Sequence, residues 1–366
     1  MTIPNINSLY STLNLNKNCL MKWLQHIGVK KIGFNLSSLF RLVFKMFPKY
    51  HQQLTLDPNL KCPEVYDYIN SFLLEFLFAG FDIITVTDGK PFPYNIKYNE
   101  IINQKLLARD IEDWANAYII DPIQHSHFIN YADEPVISIM APFEADLQLV
   151  YMMHQNMIDI IISDNNELLF FDLKHIVFLS QNSFDYYSHL MSEQYVNKLE
   201  LMDPIRAFVI PCLLGNNYFE GIPGHTPQMA LKLANQIMIP LTKDNKVDWY
   251  QYFINIYNSL DQSLIQKYTL ASFNMDYYKS HIIKQFVKLF NIYYYYPIYN
   301  FKSEELQLMD LSYDTLPSHL KELDYSPLLK KSLKNQWIDI SNGFIHPLTL
   351  EPYDSEIYRL KLKYNF

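Results

Sequence analysis

Three short apolar runs, each closing on a polar or acidic residue, set the pattern of this chain. They are Val29 to Asn35 (VKKIGFN), Phe81 to Asp88 (FDIITVTD) and Met157 to Ile162 (MIDIII), the last followed by Ser163 and Asp164. Runs this short, bounded by polar positions, predict buried strands of a parallel sheet. Around them the apolar positions fall at helical spacing, over Leu36 to Phe47 and Glu64 to Ala79. Strand and helix alternate, so the class is α/β, with a mostly parallel central sheet flanked by helices. The stretch Ala141 to Phe171 carries the chemistry. Glu144 and Asp146 stand at its head, a helical segment and the third strand follow, and Asp164-Asn165-Asn166-Glu167 closes it. Polar groups at the carboxyl ends of strands are where open α/β sheets place ligands.

Between Asp88-Gly89-Lys90-Pro91 and that stretch lie about fifty residues, longer than an ordinary connection. They predict one helix, Asn99 to Tyr118. Its Lys105 and Arg109 stand against Glu100, Asp110, Glu112 and Asp113, which reads as a solvated face and not as a basic stripe. Further on, Pro204 to Leu214 leads into a segment from Gly215 to Thr226 that holds three of the eight glycines, and a helix is predicted over Pro227 to Ile237. A glycine-bearing loop before a helix can present N–H groups to phosphate, but a plain connection is the favoured reading here. Ser280 to Phe290 predicts another helix, followed by Tyr293, Tyr294, Tyr295 and Tyr296. Adjacent residues point different ways, so four consecutive tyrosines cannot form one base-stacking platform. Core packing and hydroxyl anchoring are expected of them instead.

Composition narrows the function classes. With 366 residues and 49% hydrophobic positions the chain has ample material for a core, and disorder is excluded. A formal charge of -8 does not advertise a phosphate-binding surface. Cys19, Cys62 and Cys212 lie far apart without metal-ligand spacing, which points to a reducing, intracellular compartment. His125, His127 and His225 lack partners at zinc-binding spacing. No apolar run approaches the roughly 20 residues of a membrane-spanning helix, so no membrane partner is expected.

Several segments, in order, resemble the flap endonuclease, exonuclease-one and XPG family of structure-specific 5′ nucleases. Met1-Thr2-Ile3-Pro4-Asn5-Ile6 is similar to the family's start, and Ile32-Gly33-Phe34-Asn35-Leu36-Ser37 to its first acidic strand end. Asp88-Gly89-Lys90-Pro91 matches the family's DGKP, Ala141-Pro142-Phe143-Glu144-Ala145-Asp146 resembles APxEAE, and Ser163 to Leu169 resembles TEDSDLL. Leu213 to Leu233 resembles the GCDY segment with the following helix-two-turn-helix, and Tyr296 to Phe301 the segment that closes the nuclease core. The resemblance implies a PIN-like fold over residues 1–200, with an arch-like insertion at about 91–140. It further implies a helix-two-turn-helix region over 201–310 and a C-terminal extension over 311–366.

What the family does implies phosphodiester hydrolysis by two divalent metals, Mg²⁺ or Mn²⁺, in a cage of carboxylates that clamps the attacking and leaving oxygens. Its acidic positions fall here on Asn35, Asp88, Glu144, Asp146, Asn165, Glu167 and Asn217. Asn35, Asn165 and Asn217 are amides, neutral and able to meet a cation only through the carbonyl oxygen. Asp164 offers a carboxylate, but on a strand it points to the other side from its neighbour. The nucleic-acid contacts of the family fall on Lys90, Gly224, Thr226, Gln228 and Lys232. Thr226 stands where the family has a second glycine, and Gln228 where it has a basic residue. Two readings follow. In the first, the chain is a pseudonuclease that binds DNA or RNA or serves as a subunit of a larger assembly, and it needs no cofactor. In the second, it is a divergent nuclease holding one metal on Asp88, Glu144, Asp146 and Glu167.

Overall fold

The computed structural model describes residues 3, 13–47, 49–50, 61–89, 136–171, 173, 175–180, 184–188, 204–261, 263–265, 275–300 and 305–309. The expected helix Asn99 to Tyr118, His125, His127, Lys90, most of the arch-like insertion and the extension 311–366 lie outside these residues. So does the boundary expected near residue 200.

The central sheet has seven strands: β1 (Leu13–Leu15), β2 (Lys31–Asn35), β3 (Asp82–Thr87), β4 (Ile137–Met140), β5 (Ile160–Ser163), β6 (His175–Leu179) and β7 (Phe184–Ser188). Their order is β1-β7-β6-β5-β2-β3-β4. The five strands from β6 to β4 are parallel to one another, and β7 alone runs against them, pairing antiparallel with β6 on one side and with β1 on the other. Gly33 of β2 stands between Ile84 and Ile161, which sets β2 at the middle of the five parallel strands, in register with both neighbours.

Alternation along the strands divides the interior into two layers. Ile160 and Ile162 join one apolar cluster with Ile32, Phe34 and Ile83, while Ile161 joins the other with Ile84 and Val86. The first layer packs under α1 (Lys17–His26), α2 (Leu36–Met46) and α3 (Pro63–Phe78). The second packs under α4 (Ala145–His154) and the later helices. All three isoleucines are fully buried, each contributing about 1.5–3 kcal/mol of transfer free energy. The later helices are α5 (Pro204–Ala207), α6 (Val209–Leu214), α7 (Pro227–Gln236), α8 (Trp249–Asn258) and α9 (Met275–Tyr294). After them comes a hairpin of β8 (Pro297–Asn300) and β9 (Glu305–Leu308). Among the described residues no helix is long and apolar enough to cross a membrane.

Three local differences from the sequence expectation have physical causes. The strand expected from Met157 begins only at Ile160, because Asp159 turns its carboxylate onto the N–H groups of Lys30 and Lys31, at 2.8 and 2.9 Å, and so caps the start of β2. The helix expected to end at Phe290 continues to Tyr294, so Tyr293 and Tyr294 are helical and the run of tyrosines bends from helix into β8. Strands β4, β6 and β7 carried too short or too mixed a pattern to be singled out.

Candidate functional site

The carboxyl ends of β2, β3 and β5 converge with the first turn of α4. Asn35 is the last residue of β2 and the N-cap of α2, its Oδ1 accepting from the Ser38 N–H at 2.9 Å. Asp88 follows β3. Its Oδ1 accepts from the Ala145 N–H at 2.8 Å, where the positive end of the α4 dipole favours an anion. Asn165 and Glu167 follow β5, and the Asn165 Oδ1 accepts from the Glu167 N–H at 3.0 Å. The two asparagines therefore do the same thing: each spends its carbonyl oxygen on a backbone cap.

Their amide nitrogens then point at one target. Asn35 Nδ2 donates to Asp146 Oδ1 at 2.8 Å and Asn165 Nδ2 donates to Asp146 Oδ2 at 2.9 Å. Ser163 Oγ adds a third bond to Asp146 Oδ1 at 2.7 Å. Orientation of the amides is fixed by their partners, since a backbone N–H needs the oxygen and a carboxylate accepts only from the nitrogen. Asp146 is 8% exposed and Asn35 2%, so this exchange happens out of water. Burial pushes the Asp146 carboxyl upward, and the donors from Asn35, Ser163 and Asn165 oppose that.

Glu144, Asp146, Asn165, Glu167, Tyr218 and Tyr293 line one small cavity. Burial first, and then the neighbouring acids Glu167, Asp88 and Asp146, push the Glu144 carboxyl up to about 8, while a bond to the Tyr218 hydroxyl pulls it back. Tyr293 donates its hydroxyl to Glu167 Oε2 at 3.0 Å and accepts from Asn216 Nδ2 at 3.1 Å. Tyr296 receives the Glu144 N–H at 3.1 Å. The tyrosines are buried anchors, as the sequence pattern implied, and Phe171 stacks on Tyr293 at 5.2 Å. Tyr293→Phe is expected to cost about 1–3 kcal/mol, because it strands one oxygen of Glu167 and the Asn216 amide together. Urea unfolding at neutral pH measures it, and an unchanged midpoint would contradict the anchoring role.

Asn217 stands apart from the cavity's described lining. Its side chain is buried and its Oδ1 has no hydrogen-bond partner among the described residues. The neighbouring Asn216 instead makes the local structure, accepting from the N–H groups of Tyr218 and Phe219. Gly215 and Gly221, at φ of +80° and +86°, press against each other so closely that a Cβ on Gly221 would lie 2.6 Å from the Gly215 nitrogen. Most of that loop is buried and hydrogen-bonded to itself, while its end at Pro223, Gly224 and Thr226 is exposed. Asp164 follows the end of β5, so strand alternation does not set its direction, and it pairs with Arg41 at 2.9 Å. Gly224, Thr226, Gln228 and Lys232 are all exposed on the approach to α7 and on its first turns. Thr226 is the N-cap, its hydroxyl accepting from the Met229 N–H at 3.3 Å, so its side chain serves the helix.

The donor set does not fit a pair of dications. The carbonyl oxygens of Asn35 and Asn165 already hold backbone N–H groups, and their nitrogens already satisfy Asp146. Among the described residues no group of three or more His, Cys, Asp or Glu side chains is disposed to hold a metal ion. Sequence reasoning named seven positions, of which Asn217 lies outside the cavity's described lining, and it did not assign Arg41, Ser163, Tyr218 and Tyr293 to the site, although their side chains bond to or line the cluster. Only the tyrosine run gave a signal, and it named no partner.

No protein-family model matches the chain. A curated relative, exodeoxyribonuclease 1 of Saccharomyces cerevisiae, is 27% identical over 133 residues, covering 33% of this chain and 19% of the relative, so the match spans about a fifth of that protein's length. Among solved structures, the catalytic core of Rad2 in complex with DNA substrate gives a TM-score of 0.44 at 15% identity, over 75% of this chain and 80% of that one. The Holliday junction-resolving enzyme GEN1 in complex with product DNA and Mg²⁺ gives 0.40 at 13% identity, over 99% of this chain and 68% of that one. With its ordered motifs set on the strand ends of a mostly parallel sheet, the chain resembles the flap endonuclease, exonuclease-one and XPG family of structure-specific 5′ nucleases.

Proposed function

We propose that this protein is a pseudonuclease of that family, which engages DNA or RNA, or a larger assembly, without cutting phosphodiester bonds. One observation carries the reading: the amide nitrogens of Asn35 and Asn165 occupy both oxygens of Asp146, where a metal-dependent site needs free anionic oxygen. Hydrolysis of a phosphodiester at such a site requires charge stabilisation at the attacking and leaving oxygens. Neutral amides with their nitrogens inward supply the wrong sign of partner for a cation.

Purified protein incubated with 5′-flap DNA and with the matching RNA, in millimolar Mg²⁺ or Mn²⁺, is expected to leave both intact. Cleavage that disappears in a Glu144→Ala variant would overturn the reading. The exposed face around Gly224, Thr226, Gln228 and Lys232 is the surface we assign to nucleic-acid contact, which a binding titration with Lys232→Glu tests separately. A second reading, a nuclease with one metal, draws on the fact that Glu144, Asp146 and Glu167 share one cavity. It requires heat on calorimetric titration with Mn²⁺, and a flat titration removes it.

A further inference from the structure

The helix that carries Glu144 and Asp146 is held from outside along one face. Glu144 is the N-cap of α4 but makes no side-chain bond to its first turn, and the N–H groups there need partners, as at any helix start. The Glu144 N–H finds the Tyr296 hydroxyl at 3.1 Å. One turn on, Gln148 Nε2 donates to the Tyr299 carbonyl at 3.0 Å while its Oε1 accepts from the Tyr299 N–H at 2.8 Å. Gln148 is 1% exposed, so both bonds lie out of water. A further turn along, the Tyr151 hydroxyl accepts from Gln307 Nε2 at 3.4 Å. Positions 144, 148 and 151 follow the helical repeat and so share one face of α4. Their partners all lie in or beside one hairpin, β8 with β9. The phase of that hairpin explains why an amide is needed. The Met309 N–H donates to the Tyr296 carbonyl at 2.7 Å, so the alternate residues Tyr296, Ile298 and Asn300 bond toward β9, and Tyr299 turns its N–H and C=O away from it. Gln148 stands where a third strand would, and satisfies both groups. A two-stranded hairpin is marginal by itself, so β8 and β9 lean on α4 as much as α4 leans on them.

We infer that the β8–β9 hairpin is a strap on α4, with Gln148 as the positioning residue that sets the first turns of the helix and, through them, Glu144 and Asp146 at the cavity. Hairpin and helix then let go together, as one local unit, before the five parallel strands open. Anything that pulls the hairpin away exposes the acidic cluster while the sheet stays folded. The strap goes beyond the non-cutting reading above and holds whether or not the site takes a metal.

The test is amide hydrogen exchange of the full chain, read by mass spectrometry on peptides from α4, the hairpin, β2 and β5. In wild type the α4 and hairpin amides are expected to share one protection factor, at least about tenfold below that of β2 and β5. Gln148→Met keeps the length of the side chain and its helix propensity but strips the Tyr299 N–H and C=O of their partner. It is expected to speed exchange in α4 and in the hairpin by the same factor, at least about tenfold, because every opening that breaks the Gln148 bonds becomes easier by the same amount. Hairpin amides that speed up while those of α4 do not would show that the helix keeps its setting without the strap, and would overturn the inference. Unchanged rates in both would do the same. So would wild-type α4 amides as protected as those of β2 and β5, since the helix would then open only with the sheet. Should Gln148→Met not fold, the wild-type comparison decides alone. Neither arm involves cleavage or metal binding, so the metal-free reading stands or falls separately.

Discussion

Asn165→Asp is expected to lower stability by about 3–5 kcal/mol at neutral pH, the scale for leaving a buried charge without a partner. The variant keeps the oxygen that caps Glu167 but replaces the nitrogen facing Asp146 Oδ2 at 2.9 Å with a second anionic oxygen. Two carboxylates at that distance cannot both ionise cheaply, so the pair takes up a proton that neither carboxyl binds at neutral pH in the unfolded chain. The sign follows from linkage. A carboxyl raised in the folded state costs nothing below its unfolded value, and the cost grows as pH rises toward the folded value. The loss relative to wild type should therefore be small at pH 4 and full at pH 8. Urea midpoints across that range measure it, and a variant as stable as wild type at pH 8 would mean that the Asn165 amide does not hold Asp146. Joining Asn35→Asp to it should deepen the loss in EDTA and make stability respond to Mn²⁺, since the pair would then offer anionic oxygens to a cation.

Gly89→Ala should be more damaging still, above about 4 kcal/mol, because the obstacle is backbone and cannot swing aside. A Cβ at Gly89 would lie 1.9 Å from the Ala141 carbonyl oxygen and 2.9 Å from that of Pro142. The Gly89 N–H donates to the Phe143 carbonyl at 2.6 Å, so the two segments are already in hydrogen-bond contact. Pushing them apart also breaks the bond from Ala145 to Asp88 one residue away. Soluble yield and urea midpoint report the effect, and a neutral outcome would show that the close approach is dispensable. By contrast a Cβ at Gly33 would meet only the far ends of Ile158 and Leu149, which can shift, so the two glycines differ sharply in expected cost.

The parallel core was legible in the sequence because apolar runs such as Ile160 to Ile162 supply both faces of a buried strand at once. The edge was not. Strand β1 is three residues long and β7 carries Asp185 between aromatic residues, so neither offers a clean period, and their pairing is settled by the sheet they close. At the site, the resemblance located Asn35 and Asn165 as amides in acidic places, but a sequence cannot show which way an amide faces. That depends on two backbone N–H groups and one carboxylate brought together by folding. Arg41 was invisible for a related reason: its partner Asp164 lies 123 residues further along the chain.

The same distances bear on how the molecule reaches this state. Asn35 meets Asp146 across 111 residues, Glu167 meets Tyr293 across 126, and Gln148 brackets the backbone of Tyr299 on both sides across 151. Each such closure must be met by chain entropy before its contacts repay it, and structures rich in them fold slowly. The cluster is therefore expected to close late on the folding path, since β2, α4, β5 and α9 must all be in place before Asp146 and Glu167 find their donors.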